Sequence, residues 1–136
     1  MRNQNWRWAD FSNLDLSGLD LSGMDLSESN FTKSNLTCTD LRGSNLRGAD
    51  MQQVSLEGAI LTKANLEEAD LGGANLRGAH LQDVNFQRAD LRYANLSRAN
   101  LLQANLAEAK LVRANLSEAI LKGICLYNAF LRETIF

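Results

Sequence analysis

The chain has no proline, one histidine and two cysteines among its 136 residues. Each scarcity excludes something. Without proline every residue keeps its N–H donor, as segments locked into backbone ladders require. Cys38 and Cys125 lie far apart and make no disulfide framework, so a reducing compartment, the cytoplasm, is expected. His80 and two dispersed cysteines fall short of the four ligands of a structural zinc site. No run nears the roughly 18 apolar residues of a membrane span, and Met1-Arg2-Asn3-Gln4-Asn5-Trp6 has no signal-peptide core. A dominant charge is missing too. Fourteen basic residues against 16 acidic ones give −2, neither the basic stripe of a nucleic-acid binder nor a strong acidic field.

What is present is a period of five. Ala64-Asn65-Leu66-Glu67-Glu68-Ala69-Asp70-Leu71-Gly72-Gly73-Ala74-Asn75-Leu76 repeats Ala, then Asn or Asp, then Leu, then two variable residues. With the Leu as centre, the pattern runs from Trp6 to Phe136 without insertion or deletion: 27 centres, of which 21 are Leu, four Phe, one Met and one Trp. A fixed short period marks a repeat architecture. A helix would scatter centres about 140° apart, since each residue advances about 100°. A straight strand alternates with period two and would send successive centres to opposite faces. The pattern works if the chain turns a corner once per repeat. Centre and preceding Ala then point inward and the other three positions point out. One domain over residues 1–136 is expected, because the unbroken repeat leaves no room for a linker.

The inward site before the centre changes along the chain. It holds Leu14, Leu19 and Met24 early; with Trp6, Trp8 and Phe11 these read as a plug over the first turn. Ser29, Ser34, Thr39 and Ser44 follow, buried hydroxyls that need partners and can find corner backbone. From Ala49 to Ala119 the site is Ala apart from Val54 and Val84. Eight of the nine glycines fall two after a centre, where a corner wants positive φ. The position just before the centre is Asn or Asp in 19 of 27 repeats, suited to bonding nearby backbone and stacking into a ladder.

Spelled out in Ala64-Asn65-Leu66, Ala69-Asp70-Leu71 and Ala94-Asn95-Leu96, the A(D/N)LXX repeat resembles that of the pentapeptide-repeat proteins, which are abundant in cyanobacteria. The resemblance covers essentially the whole chain. It implies an all-β fold, a right-handed quadrilateral β-helix with four repeats per coil. Twenty-seven repeats then make nearly seven coils, roughly 30 Å long at about 4.8 Å per step. Residues 20 apart would stack. Asp50, Asp70 and Asp90 would share an outer column, and Glu68, Arg88 and Glu108 another of alternating sign. Cys38 and Cys125 would lie about four coils apart, beyond disulfide reach.

A search for converging chemistry finds little. His80 occupies a ladder position as a polar substitute. The Asp50/Asp70/Asp90 column could hold a divalent cation, against the reading that corner N–H groups satisfy it. Trp8, Tyr93 and Tyr127 point outward without the basic stacking platform of a single-strand binder. The sharpest anomaly lies at the C-terminus. The last four ladder positions are Ile120, Cys125, Phe130 and Ile135, with Tyr127 outward and Phe136 a final centre. Apolar groups where polar ones belong, beside an open strand edge, invite association. These six residues are the expected self-association interface, a homodimer with two-fold symmetry.

The expected role is a non-catalytic structural or protein–protein interaction module with an unidentified protein partner, no cofactor or metal, and neither nucleic acid nor membrane. The alternative comes from the family, some of whose members protect DNA gyrase from quinolones by imitating duplex DNA. The near balance of charge and the absent loop insertions speak against it. The inside–outside assignment has a direct test in thermal or denaturant unfolding. Leu76→Ala deletes a centre and should cost about 2–5 kcal/mol, whereas outward Arg77→Ala should cost under about 0.5.

Overall fold

The computed structural model describes residues 4–136, so the readings made on Met1, Arg2 and Asn3 lie outside the described residues. Parallel bridges run from Asn5–Asp25 to Asn115–Ile135, each joining residues 20 apart. Four repeats therefore close one circuit, and each circuit stacks on the last without a slip in register. The fold is a β-solenoid with no helix among the described residues. Side one carries Asn5, Asp25, Asn45 and their successors before the centre; sides two, three and four begin at Asp10, Asp15 and Asp20.

One repeat shows why five residues suffice. The Asn65 N–H donates to the Ser44 carbonyl one circuit back at 2.9 Å, and the Leu66 N–H to the Asn85 carbonyl one circuit ahead at 2.7 Å. The Glu68 N–H reaches the Gln87 carbonyl ahead at 3.0 Å, and the Ala69 N–H closes the corner on the Leu66 carbonyl at 3.1 Å. Only the Glu67 N–H meets no carbonyl; it donates to Oδ1 of Asn65 at 3.1 Å. All five donors are used, which buried or half-buried backbone demands. Proline is excluded from each of these five positions for the same reason.

The centres form the core. Every one from Leu26 to Leu116 is at most 1% exposed, and the inward residues from Met24 to Ala114 at most 4%. The buried hydroxyls are satisfied as expected at corners: Ser34 and Ser44 donate to the Phe31 and Leu41 carbonyls at 2.7 and 2.8 Å, and Ser29 likewise to Leu26. Thr39 differs, reaching back one circuit to the Leu16 carbonyl at 3.0 Å.

The N-terminal plug is only partly as expected. Phe11 stacks on Phe31 with ring centroids 4.9 Å apart, and Trp6 tilts against Phe11 at 6.1 Å. Met24 is buried, but Leu14 and Leu19 stay half-exposed. Trp8 takes no part; it sits at a corner and points into solvent. Its place two after a centre decides this, since corner side chains leave the tube.

The corners hold a second finding. Every one from Trp8 to Glu133 has positive φ, between 53° and 73°. With the i→i+3 bond just described and positive φ only at the third residue, these are type II turns. The eight corner glycines are where expected, yet eighteen corners are not glycine and take the same left-handed backbone. The stacked ladder enforces a conformation that costs an L-residue roughly 1–2 kcal/mol. Gly78 is a clean place to measure this, because a Cβ there would meet nothing within 4 Å. Gly78→Ala should lower unfolding free energy by about 1 kcal/mol through backbone conformation alone, read by urea denaturation; no loss would mean the corner is unstrained.

Candidate interaction surface

With the core filled, and the backbone donors used wherever the residue before the centre supplies an oxygen, function must lie on the four sides or at the ends. The position before each centre dominates the sides. All 19 Asn and Asp residues there accept the N–H two residues on, from Asn5 with Arg7 to Asn115 with Ser117. The asparagines also donate along the axis on side one. Asn45 gives Nδ2–H to Asp25, Asn65 to Asn45, Asn85 to Asn65 and Asn105 to Asn85, at 3.1–3.4 Å. The short bond to the backbone and the long ones between side chains rank the two roles: capping the fifth N–H comes first, stacking second.

The same bond accounts for the aspartate column on side two. Asp50, Asp70 and Asp90 hold the N–H groups of Gln52, Gly72 and Arg92 at 3.2, 2.9 and 3.1 Å. Among the described residues no group of three or more His, Cys, Asp or Glu is arranged to hold a metal ion. His80 is exposed, in the ladder column between Ile60 and Asn100. Cys38 and Cys125 are free thiols, both exposed.

Ion pairs decorate the sides along the axis. Arg77 meets Glu57 at 3.3 Å and Arg98 meets Glu118 at 3.0 Å, while Arg113 pairs with Glu133. The expected column of Glu68, Arg88 and Glu108 forms only in its first step. Arg88 bonds Glu68 at 3.2 Å, but its other arm turns to Glu67, and Arg47 completes the cluster with Glu68 at 3.0 Å. Two carboxylates side by side at Glu67 and Glu68 outcompete one at Glu108 for the same fork. Such exposed pairs are each worth at most about 1 kcal/mol.

The C-terminal circuit breaks the polar rule. Ile120, Phe130 and Ile135 are 52–58% exposed, and Tyr127, Phe136 and the Cys125 thiol are exposed beside them. None of these side chains offers the oxygen that caps the N–H two residues on elsewhere. The structure thus brings the six expected interface residues to one end of the tube. A further feature was not anticipated. Lys110 breaks the same rule one circuit earlier on side two, and open hollows lie around it, one of ≈ 630 Å³ lined by Arg88, Glu108, Lys110 and Phe130 among others. The signal was in the sequence: Lys110 and Phe130 are consecutive departures in one column.

A family model for pentapeptide repeats matches this chain in eight copies, over residues 9–48, 25–62, 39–78, 69–106 and 99–136. The chain belongs to the pentapeptide-repeat family. Among solved structures it is similar to Rfr23, a pentapeptide repeat protein from the cyanobacterium Cyanothece 51142, at 29% identity over 96% of this chain and 89% of that one, with a TM-score of 0.52. It is similar in fold to a trypsin-treated form of QnrB1, a plasmid-mediated fluoroquinolone resistance protein, at 20% identity and a TM-score of 0.57. That match covers 88% of this chain and 63% of QnrB1, so the chain spans less than two thirds of that relative. No curated protein sequence matches significantly.

In this pentapeptide-repeat protein the capping carboxylates of Asp10, Asp15, Asp25 and Asp90 titrate below their ordinary range. For Asp25 the Ser27 hydroxyl is the main cause, bonding Oδ1 at 2.7 Å. For Asp90 burial pushes upward, but the Arg92 side chain at 2.6 Å and the Arg92 N–H together outweigh it. A carboxyl lowered on folding adds stability above its unfolded pKa, and that stability is lost as pH falls through the folded value. The melting temperature should therefore hold from pH 7 to about 5 and fall below about 4, where free carboxylates protonate. Asp90→Asn should melt lower than the parent at pH 7 and approach it at pH 3, followed by circular dichroism.

Proposed function

We propose that this protein is a non-catalytic interaction module, a single rigid domain over 1–136 that pairs with a second copy of itself and offers its sides to a partner protein. The winding goes with the family: right-handed, quadrilateral, nearly seven coils from 27 repeats at four per coil. The observation that carries the reading is the C-terminal circuit. Ile120, Phe130 and Ile135 stand in solvent in columns where asparagine and aspartate cap the backbone elsewhere. An exposed apolar ring of this kind is the mark of an association surface. Two-fold pairing through Ile120, Cys125, Tyr127, Phe130, Ile135 and Phe136 buries all of it at once, because a closed dimer uses the same patch on both copies. The cytoplasm is the compartment that suits the free thiols; no helix among the described residues is long and apolar enough to cross a membrane.

The alternative, a DNA mimic binding gyrase, draws on the likeness to QnrB1, which at 20% identity is a likeness of fold. Mimicry needs a continuous acidic face, since duplex DNA carries one charge per ~1.7 Å. Here Glu57, Glu67, Glu68, Glu118 and Glu133 are each paired with arginine, which cancels such a face. The constant 20-residue register also leaves no inserted loop.

Light scattering at tens of micromolar should return twice the chain mass of 15.1 kDa. Phe130→Ser with Ile135→Ser should return the single mass with an unchanged far-ultraviolet spectrum; a monomeric parent overturns the pairing. Gyrase supercoiling should proceed unchanged, with and without quinolone, at micromolar protein. Inhibition or drug protection would favour the mimic instead.

A further inference from the structure

Side two changes character late in the chain. Asp50, Asp70 and Asp90 cap the N–H two residues on, but Lys110 and Phe130, next in the same column, have no oxygen to do so. The N–H groups of Val112 and Arg132 make no hydrogen bond among the described residues. The same donor goes uncapped after Ser55, Ile60 and His80, but there no cluster of cations and aromatics accompanies it.

Here one does. Arg92 is committed to Asp90, and Arg113 to Glu133. Lys110 and Arg132 make no ion pair among the described residues. Phe130, exposed in solvent, lines three adjoining hollows: one shared with Arg88 and Lys110, one with Arg92 and Val112, one with Tyr93 and Arg132. Tyr93 is held at a corner with φ 63°, a conformation unfavourable for a bulky residue, and its ring stays exposed beneath the Arg113 guanidinium at 5.8 Å. Neither core burial nor backbone preference accounts for an aromatic residue there.

We infer that this end of side two is a docking groove for an acidic, extended peptide segment of a partner protein, whose carboxylates take the Val112 and Arg132 N–H groups as Asp90 takes that of Arg92. Each such bond is charge-assisted and has a cation beside it, Lys110 or Arg132. Phe130 and Val112 receive an apolar side chain on the same face of that segment, two residues beyond the carboxylates. Charge decides against a nucleic-acid strand. Glu108, Asp90 and Glu133 stand among the cations, so two separated carboxylates fit where a continuous line of phosphates meets repulsion. Phe130 is shared with the C-terminal pairing surface, so peptide and second copy meet there; Lys110, Val112 and Tyr93 lie in earlier circuits and belong to the groove alone.

The test titrates the full-length protein with the terminally blocked hexapeptide Glu-Ser-Glu-Ser-Leu-Ser, whose two Glu and one Leu share a face when extended, followed by amide NMR. Saturable shifts should centre on the Val112 and Arg132 amides and weaken about tenfold as salt rises from about 50 to about 500 mM. Lys110→Asn restores the missing acceptor: it should weaken binding about fivefold or more and raise the melting temperature. Lys110→Ala should weaken binding without that rise, and Lys122→Ala, on side four, should bind as the parent does. No shifts up to about 1 mM peptide, shifts centred elsewhere, or unchanged binding by Lys110→Asn would overturn the groove. Tighter binding of oligothymidylate at the same amides would replace it with a nucleic-acid surface.

Discussion

Backbone hydrogen bonds between circuits carry this structure. Three of the five N–H groups in each repeat run along the axis to a neighbouring circuit, one closes the corner, and one is left to a side chain. That leftover donor gives the position before the centre its meaning. An Asn or Asp oxygen there completes the repeat, so the polar columns are part of the backbone's accounting before they are surface. The ladder also dictates the corners. Eighteen non-glycine residues adopt a left-handed backbone that none would choose in isolation, because each is gripped by the circuits next to it.

A scaffold of this kind has little to spare for catalysis. Its interior is a column of Leu with Ala and hydroxyl residues beside it, and the described residues leave no buried side-chain polar atom unsatisfied. Chemistry is displaced to places where the repeat is broken. Two such places matter: the C-terminal circuit, where all four ladder positions turn apolar, and the end of side two, where Lys110 precedes Phe130. In both, the backbone loses its side-chain acceptor where exposed apolar surface increases. Oxygen atoms and cover are the two parts that a second chain would bring to both places.

Much of this was legible beforehand. Period five required a corner in each repeat, and the buried Leu column and the positive φ at Gly43 or Gly78 followed. The serine hydroxyls at positions 29, 34 and 44 found corner carbonyls as their spacing suggested. Other details were not legible. Trp8 was counted toward the plug because it neighbours Trp6 and was also read as outward from its place in the repeat; only the outward reading holds. Arg88 was read against Glu108 in its own column, but a guanidinium fork selects among all carboxylates in reach, including Glu67 in the adjacent column. Thr39 took a carbonyl 23 residues back instead of the local one. Each of these turns on side-chain reach across circuits.

By itself the sequence determined which residues face inward, because a side chain's direction depends on the local turn and the turn recurs every five residues. It also determined that the ladder positions would bond backbone, since their partner lies only two residues away. The tertiary structure alone decided what stands next to what across circuits: that 20 residues make a circuit, that Arg47 and Arg88 share the Glu67–Glu68 pair, and that Arg92, Tyr93, Val112, Phe130 and Arg132 line one hollow. Contacts between residues 20 apart depend on how many repeats close the circuit, and no repeat of five carries that number within itself.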